Sequence, residues 1–247
     1  METNDSVKTT TQNRQHALRT MARLLLGRSM GFGECLPQTL DQIVAGSKLH
    51  HLGKGETLIR TGQAFDCLGL VVEGSLENSR VRADGHRHLI HFLRAGDVAG
   101  LMCLVDGQPH ANDLTARVNE TIVLVTPGSL IRELRPLDMQ LGRAFELQLA
   151  FRSRLLYERL SADHSMPLEA RLARLLLTLT QLHGHVRPDG ILLDVKISQA
   201  DLADWLGVSR QRVNLAIQQL KSEALINLSY SSILITDTTG LTARASH

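Results

Sequence analysis

The segment Ser209-Arg210-Gln211-Arg212-Val213-Asn214 sets two guanidinium groups, two carboxamides and a hydroxyl close together. On a helix capped by Ser209, the residues Arg210, Gln211, Arg212 and Asn214 fall on the exposed N-terminal end, while Val213, Ile217 and Leu220 turn inward. Arginine forks match guanine edges and phosphate oxygens, and carboxamides match adenine, so the chemistry implied is recognition of double-stranded DNA rather than bond making. Ser209, Arg210, Gln211, Arg212 and Asn214 are the candidate DNA-binding residues. The spacing of Ala203, Gly207 and Val213 is that of a helix-turn-helix: a small residue where two helices cross, a glycine in the turn and an apolar residue packing the second helix on the first. The same spacing also occurs in helix pairs that bind no DNA.

Histidines and cysteines offer weaker chemistry. His86 and His88 share one face of a strand and His91 takes the other, with no nearby glutamate to complete a metal set, so surface histidines are expected and no metal site. Cys35, Cys67 and Cys103 form no C-x-x-C pair and are odd in number, which argues for buried thiols in a reducing cytoplasm and against a disulfide scaffold.

The elements that must position these residues are legible in the punctuation of the chain. Residues 1–30, rich in Thr, Asn, Gln and Arg with one apolar patch at Leu24-Leu25-Leu26, read as a mobile tail with a helical turn. From Lys48 to Thr126, short β-friendly runs alternate with turn signals such as Gly53-Lys54-Gly55, Glu73-Gly74-Ser75, Gly96-Asp97 and Asp106-Gly107. Thr57–Ile59, Leu68–Val72, His88–Leu93 and Thr121–Val125 are expected strands, and Asp84-Gly85 is the clearest hairpin. After Pro136 the apolar period changes to 3.6: Leu141, Phe145, Leu149, Leu156 and Leu160 share a face, which predicts a long helix from Leu137 to Ala162. A break at Ser165-Met166-Pro167 opens a second domain, with a helix over Leu168–Leu182, a loop His183–Gly190 and a strand Ile191–Ile197. Ser198 and Asp201 then form a capping box before the helix-turn-helix. Ile226–Leu228 and Ile233–Thr236 make the hairpin of a wing.

The organisation expected is therefore a tail (1–30), a β-roll sensor domain (31–135), a central helix (136–163) and a winged helix-turn-helix domain (164–247), an α+β protein. Its 247 residues carry 27 basic against 25 acidic side chains, a net charge of +2, so nucleic-acid binding must rest on local pattern. No apolar run reaches the roughly 18–20 residues of a membrane span, and the polar, acidic start at Met1-Glu2-Thr3-Asn4-Asp5 does not read as a secretory leader. A cytoplasmic protein without membrane partners is expected.

Glycine-punctuated strands, a long helix and a winged helix-turn-helix resemble, in that order, the cyclic-AMP receptor protein and fumarate-nitrate reduction regulator (CRP/FNR) family of bacterial transcription factors. The resemblance is carried by Gly55-Glu56-Thr57-Leu58-Ile59, Gly62, Val72-Glu73-Gly74-Ser75, Ala95-Gly96-Asp97, Asp106-Gly107, Arg171 and Val208 to Asn214, and it spans about Leu36 to Thr236. It implies a cyclic-nucleotide-binding-like β-roll (double-stranded β-helix), a homodimer zipped along the central helix, a palindromic operator with half-sites about 34 Å apart, and RNA polymerase as a further partner. Where family members commonly carry a second recognition arginine this chain has Leu215, so its operator is expected to differ from the best-known family site.

The resemblance also implies where an effector would sit. Cyclic-nucleotide binders of the family read Gly-Glu-Met-x-Leu-x-x-Gly-x-Pro-Arg-Ser, the Glu holding the ribose and the Arg and Ser the phosphate. A buried phosphate needs such a cation and donors. This chain keeps the frame, Gly100-Leu101-Met102-Cys103-Leu104-Val105-Asp106-Gly107-Gln108-Pro109-His110-Ala111, but has Leu101, His110 and Ala111 in place of Glu, Arg and Ser. The candidate effector pocket is Gly100, Leu101, Met102, His110 and Ala111, with Leu156 and Tyr157 from the central helix. No cofactor is expected, and the effector is unknown and not cyclic AMP. A metal-dependent enzyme on the β-roll, with the winged domain as an interaction module, is the rival reading. A regulator with a vestigial pocket is a third.

Overall fold

The computed structural model of the protein describes residues 2–81, 87–160, 166–193, 197–229 and 232–246. The chain forms two compact units, Met1–Arg80 with His91–Arg152 and Val81–Ile90 with Ser153–His247.

The first unit opens with helix α1 (Glu2–Arg28), a short 3-10 turn (Phe32–Glu34) and α2 (Pro37–Ala45). Strands β1 (Lys48–Leu52), β2 (Thr57–Ile59), β3 (Cys67–Glu73), β4 (Ser75–Val81), β5 (Arg87–Arg94) and β6 (Val98–Ala99) follow. Then come α3 (Leu101–Asp106), β7 (Asp113–Ala116), β8 (Thr121–Pro127), α4 (Gly128–Leu134) and α5 (Met139–Leu160), with β5 up to Ile90 and α5 from Ser153 counted in the second unit. The strands form two four-stranded sheets, β1-β8-β3-β6 and β2-β7-β4-β5. The expected strands are all present; Asp84-Gly85 and His86 lie outside the described residues.

The near-continuous apolar runs of β3 and β8 follow from burial on both faces. Val71, Val123 and Val125 enter the roll interior with Ile59, Leu76, Leu93, Leu114 and Ala116. Their alternating neighbours Leu68, Leu70, Val72, Ile122 and Leu124 face a helical layer that includes Leu40 and Ile43 of α2, Ile131 of α4, and Leu141, Ala144 and Phe145 of α5.

The segment expected to be a tail carries α1, and its later part is packed. Leu18, Ala22 and Leu26, four residues apart, are buried in that helical layer. Arg19 donates to the carbonyls of Val44 and Ser47, and Arg23 pairs with Asp41. The polar composition concealed a one-face apolar stripe flanked by arginines that fold back onto α2. In α5, Gln148 donates to Ser29 Oγ (3.2 Å) and to the Met30 carbonyl (3.1 Å), joining the helix to the end of α1.

The second unit contains α6 (Leu168–His183), β9 (Gly184–Arg187), β10 (Gly190–Leu193), α7 (Gln199–Leu206), α8 (Arg210–Ser222), β11 (Ile226–Ser229), β12 (Ser232–Ile235) and α9 (Thr238–Arg244). Its sheet runs β11-β12-β10-β9. The segment expected to be a loop, His183–Gly190, instead contributes β9, paired antiparallel with β10 from Gly184↔Leu193 to Arg187↔Gly190. Of the strand expected over Ile191–Ile197, β10 covers the first part and residues 194–196 are outside the described set. Alternating burial is weak in β9, where only its pairing with β10 defines a strand.

Candidate nucleic-acid interface and sensor pocket

Two helices and one turn build the interface. Ser198 Oγ accepts from Asp201 N and the Asp201 carboxylate accepts from Ser198 N (2.9 Å), the reciprocal capping box that starts α7. Gly207, at φ 67°, ends α7, and Arg171 of α6 donates to the Leu206 carbonyl at 2.6 Å, fastening the turn from behind. Ser209 caps α8 by accepting from Arg212 N. Val213, Ala216, Ile217 and Leu220 are buried and pin α8 to the unit's core.

The result at the surface is a compact donor array. Ser209, Arg210, Gln211 and Arg212 are exposed on the first turn of α8. Asn214 is half-buried, and its Oδ1 accepts from Gln199 Nε2 at 3.1 Å. Leu215 is 69% exposed on the same helix, an apolar side chain suited to a thymine methyl rather than to a hydrogen bond.

Asp201 and Asp204 on α7 would set negative charge beside this array. Arg87 counters them: its Nη2 lies 2.9 Å from Asp201 Oδ1 and 2.7 Å from Asp204 Oδ2, and its Nε donates to the same Asp204 oxygen at 3.0 Å. One guanidinium thus spans two carboxylates, a geometry an ammonium group does not reproduce. Sequence spacing could not reveal this contact, because Arg87 is more than a hundred residues away.

In the first unit, Gly100 (φ 83°) caps α3. A Cβ there would lie 2.2 Å from the Cys67 carbonyl oxygen and 2.8 Å from Phe65. The segment carrying His110 is tied to the turn after β2: Gly62 N donates to the His110 carbonyl (2.8 Å), His110 N to the Gln63 carbonyl (2.9 Å), and Thr61 N to Asp113 Oδ1 (2.7 Å). His110 Nδ1 is 2.6 Å from the Asn112 carbonyl, and its ring meets Phe65 edge-on at 6.1 Å. Phe65, which sequence reasoning missed, therefore touches both the Gly100 and the His110 sides of this region. Leu101 is buried in the helical layer, Met102 is exposed on α3 and Ala111 is exposed. Leu156 and Tyr157, on the part of α5 assigned to the second unit, are 52% and 68% exposed.

Burial pushes the Cys35 thiol up to about 11 and raises those of Cys67 and Cys103 as well, so the neutral thiol dominates near pH 7 in all three. Among the described residues, no group of three or more His, Cys, Asp or Glu is placed to hold a metal ion. Also among them, no helix is long and apolar enough to cross a membrane.

A model of the cyclic nucleotide-binding domain matches residues 49–135, and a model of the Crp-like helix-turn-helix domain matches residues 170–244. The chain belongs to the CRP/FNR family of transcriptional regulators. It is 25% identical over 195 residues to the CRP-like cAMP-activated global transcriptional regulator of Mycobacterium tuberculosis, covering 78% of this chain and 85% of that one. It is 23% identical over 199 residues to the cAMP-activated global transcriptional regulator CRP of Escherichia coli, covering 80% and 93%. FixK2 from Bradyrhizobium japonicum shares the fold with a TM-score of 0.69 at 20% identity, over 80% of this chain and 96% of that one. The c-di-GMP responsive regulator CLP from Xanthomonas campestris does so with 0.64 at 18%, over 81% and 99%. These CRP/FNR relatives are transcriptional regulators and not enzymes, which removes the reading of the β-roll as a metal-dependent catalyst. In this family member α8 is the second helix of the helix-turn-helix, and Arg210, Gln211 and Arg212 stand at its exposed end.

Proposed function

We propose that this CRP/FNR regulator is a cytoplasmic homodimer that binds a palindromic duplex operator through α8, communicates with RNA polymerase, and answers to an effector other than cyclic AMP. The observation that carries the DNA reading is the contrast on α8 between the buried Val213, Ile217 and Leu220 and the exposed Arg210, Gln211 and Arg212. A helix so anchored offers its polar end to a groove without rearrangement. Dimerisation is supported by α5, whose Leu141, Ala144 and Phe145 are used within the chain while Leu156 and Tyr157 are exposed for a second copy. Selection from random duplexes by the full chain should enrich an inverted repeat with half-site centres about 10 bp apart. Enrichment of a lone half-site or of nothing overturns the dimeric reading.

The effector reading rests on the α3 region. Leu101 is committed to the helical core, Ala111 has no donor, and His110 spends Nδ1 on the Asn112 carbonyl. A cyclic phosphate would find neither the fork nor the hydroxyl that its charge requires. Relatives are described as cAMP-activated or c-di-GMP responsive, so the effector class varies around this fold. Thermal unfolding with cyclic AMP should leave the midpoint unchanged, whereas a ligand at 100 times its dissociation constant adds about 2.7 kcal/mol. A clear upward shift with cyclic AMP overturns this part of the proposal. Cyclic di-GMP and cyclic GMP belong in the same series.

A further inference from the structure

The interior of the roll holds a polar side chain with nothing to bond. Asn78 of β4 is 8% exposed, and among the described residues its Oδ1 has no hydrogen-bond partner. Strand register fixes where it points. Residues opposite one another on antiparallel strands share a face, and so do residues two apart on one strand. Asn78 lies opposite Leu114, which lies opposite Ile59, and Leu76 lies opposite Ala116. Those four residues belong to the apolar cluster of the roll interior, so Asn78 is turned into it with them. From the other sheet the cluster has small residues at Ala99 and, opposite it, at Gly69. A Cβ added at Gly69 would meet Val123 at 3.5 Å, Ala99 at 3.7 Å and the Phe65 ring at 3.9 Å, so there is room for a carbon atom there.

A carboxamide oxygen stripped of water and left unbonded destabilises a fold, because the hydrogen bond it made in the unfolded chain is not replaced. A trapped water is a poor substitute, since it needs about two to four polar partners and the side chains of this cluster are apolar. We infer that the roll interior is a binding site for an uncharged, largely apolar molecule whose N–H or O–H group donates to Asn78 Oδ1. The inference deepens, and rests on, the reading of the roll as the seat of an effector other than cyclic AMP. A full charge is unsuited to the site, because no side chain of the cluster offers a counter-ion. An aromatic body suits the Phe65 ring, which packs on the cluster from its margin.

Indole and benzothiophene are the probes, nearly equal in shape while only indole carries an N–H donor. Equilibrium dialysis against the full chain should show indole bound about tenfold more tightly, the scale of one buried hydrogen bond. Asn78→Leu keeps the branching of the side chain and removes its acceptor, so the preference should vanish or reverse while benzothiophene is still bound. Asn78→Val repeats the test with one carbon fewer. Both variants should withstand at least as much denaturant as the parent, because no hydrogen bond of the fold is lost. Absence of indole binding, equal binding of the two probes by the parent, or a preference that survives in the variants overturns the inference. So does a clear loss of stability in both variants, which would mean that Oδ1 has a partner within the fold. Cyclic AMP in the same dialysis separates the two readings. Its binding to the parent overturns the exclusion of cyclic AMP, whereas no indole preference with no cyclic AMP bound overturns the Asn78 site alone.

Discussion

Arg210→Ala should lower affinity for the selected operator by about ten- to a hundredfold per half-site, with the unfolding midpoint of the chain unchanged. The side chain is exposed at the first position of α8, so its removal leaves no cavity and no buried partner unpaired. A base-reading arginine is worth about 1–3 kcal/mol of discrimination. If Arg210 instead held only a phosphate, affinity would fall evenly over all sequences and the salt slope would drop by about one. Fluorescence anisotropy on operator and scrambled duplexes over a range of salt separates the two. Equal affinities of variant and parent on the operator would remove Arg210 from the interface.

The second large effect is on the stability of the first unit. Gly100→Ala forces a side chain into the left-handed region at φ 83°, costing about 1–2 kcal/mol, and drives its Cβ against the Cys67 carbonyl and the Phe65 ring. Overpacking adds about 1–3 kcal/mol. Denaturant unfolding should show a loss of about 2–5 kcal/mol in all. Gly107→Ala is the internal control: it has a similar φ of 68° at the other end of α3 but nothing within 4 Å of the added Cβ, so only the conformational cost of about 1–2 kcal/mol should appear. Equal losses in the two variants would mean that the close approach of Cys67 and Phe65 to Gly100 is not a constraint on the fold.

Much of this molecule was readable from residue types because its signals are local. The Ser198/Asp201 capping box, the Gly207 turn and the inward Val213, Ile217 and Leu220 are each set within a few residues, and each stands where expected. The doubly buried β3 and β8 also announced themselves, since both faces demand apolar side chains. What escaped was non-local or masked by composition. The stripe Leu18, Ala22, Leu26 in α1 lay among arginines, threonines and glutamines, and its burial depends on a sheet that forms later in the chain. β9 has almost no apolar face and exists through its pairing with β10.

The site shows the same division. The exposed array Ser209 to Arg212 was legible, whereas three contacts within the helix-turn-helix region were not. Gln199 on Asn214, Arg87 on Asp201 and Asp204, and Arg171 on the Leu206 carbonyl each join segments brought together only by tertiary folding. Leu101, a candidate pocket residue by its place in the motif, is a core residue. The apolar periodicity of the α5 stripe could not say that Leu141, Ala144 and Phe145 are consumed within the chain while Leu156 remains exposed.

Dimeric, sequence-specific DNA binding is decided by the mass and affinity of the complex formed by the full chain on its selected duplex and on a scrambled duplex, each measured across a range of salt. A homodimeric regulator should give two chains per operator, affinity that falls steeply with salt on both duplexes, and operator binding tighter than scrambled binding by about a thousandfold or more. Equal affinity for both duplexes, or one chain per operator, would contradict it.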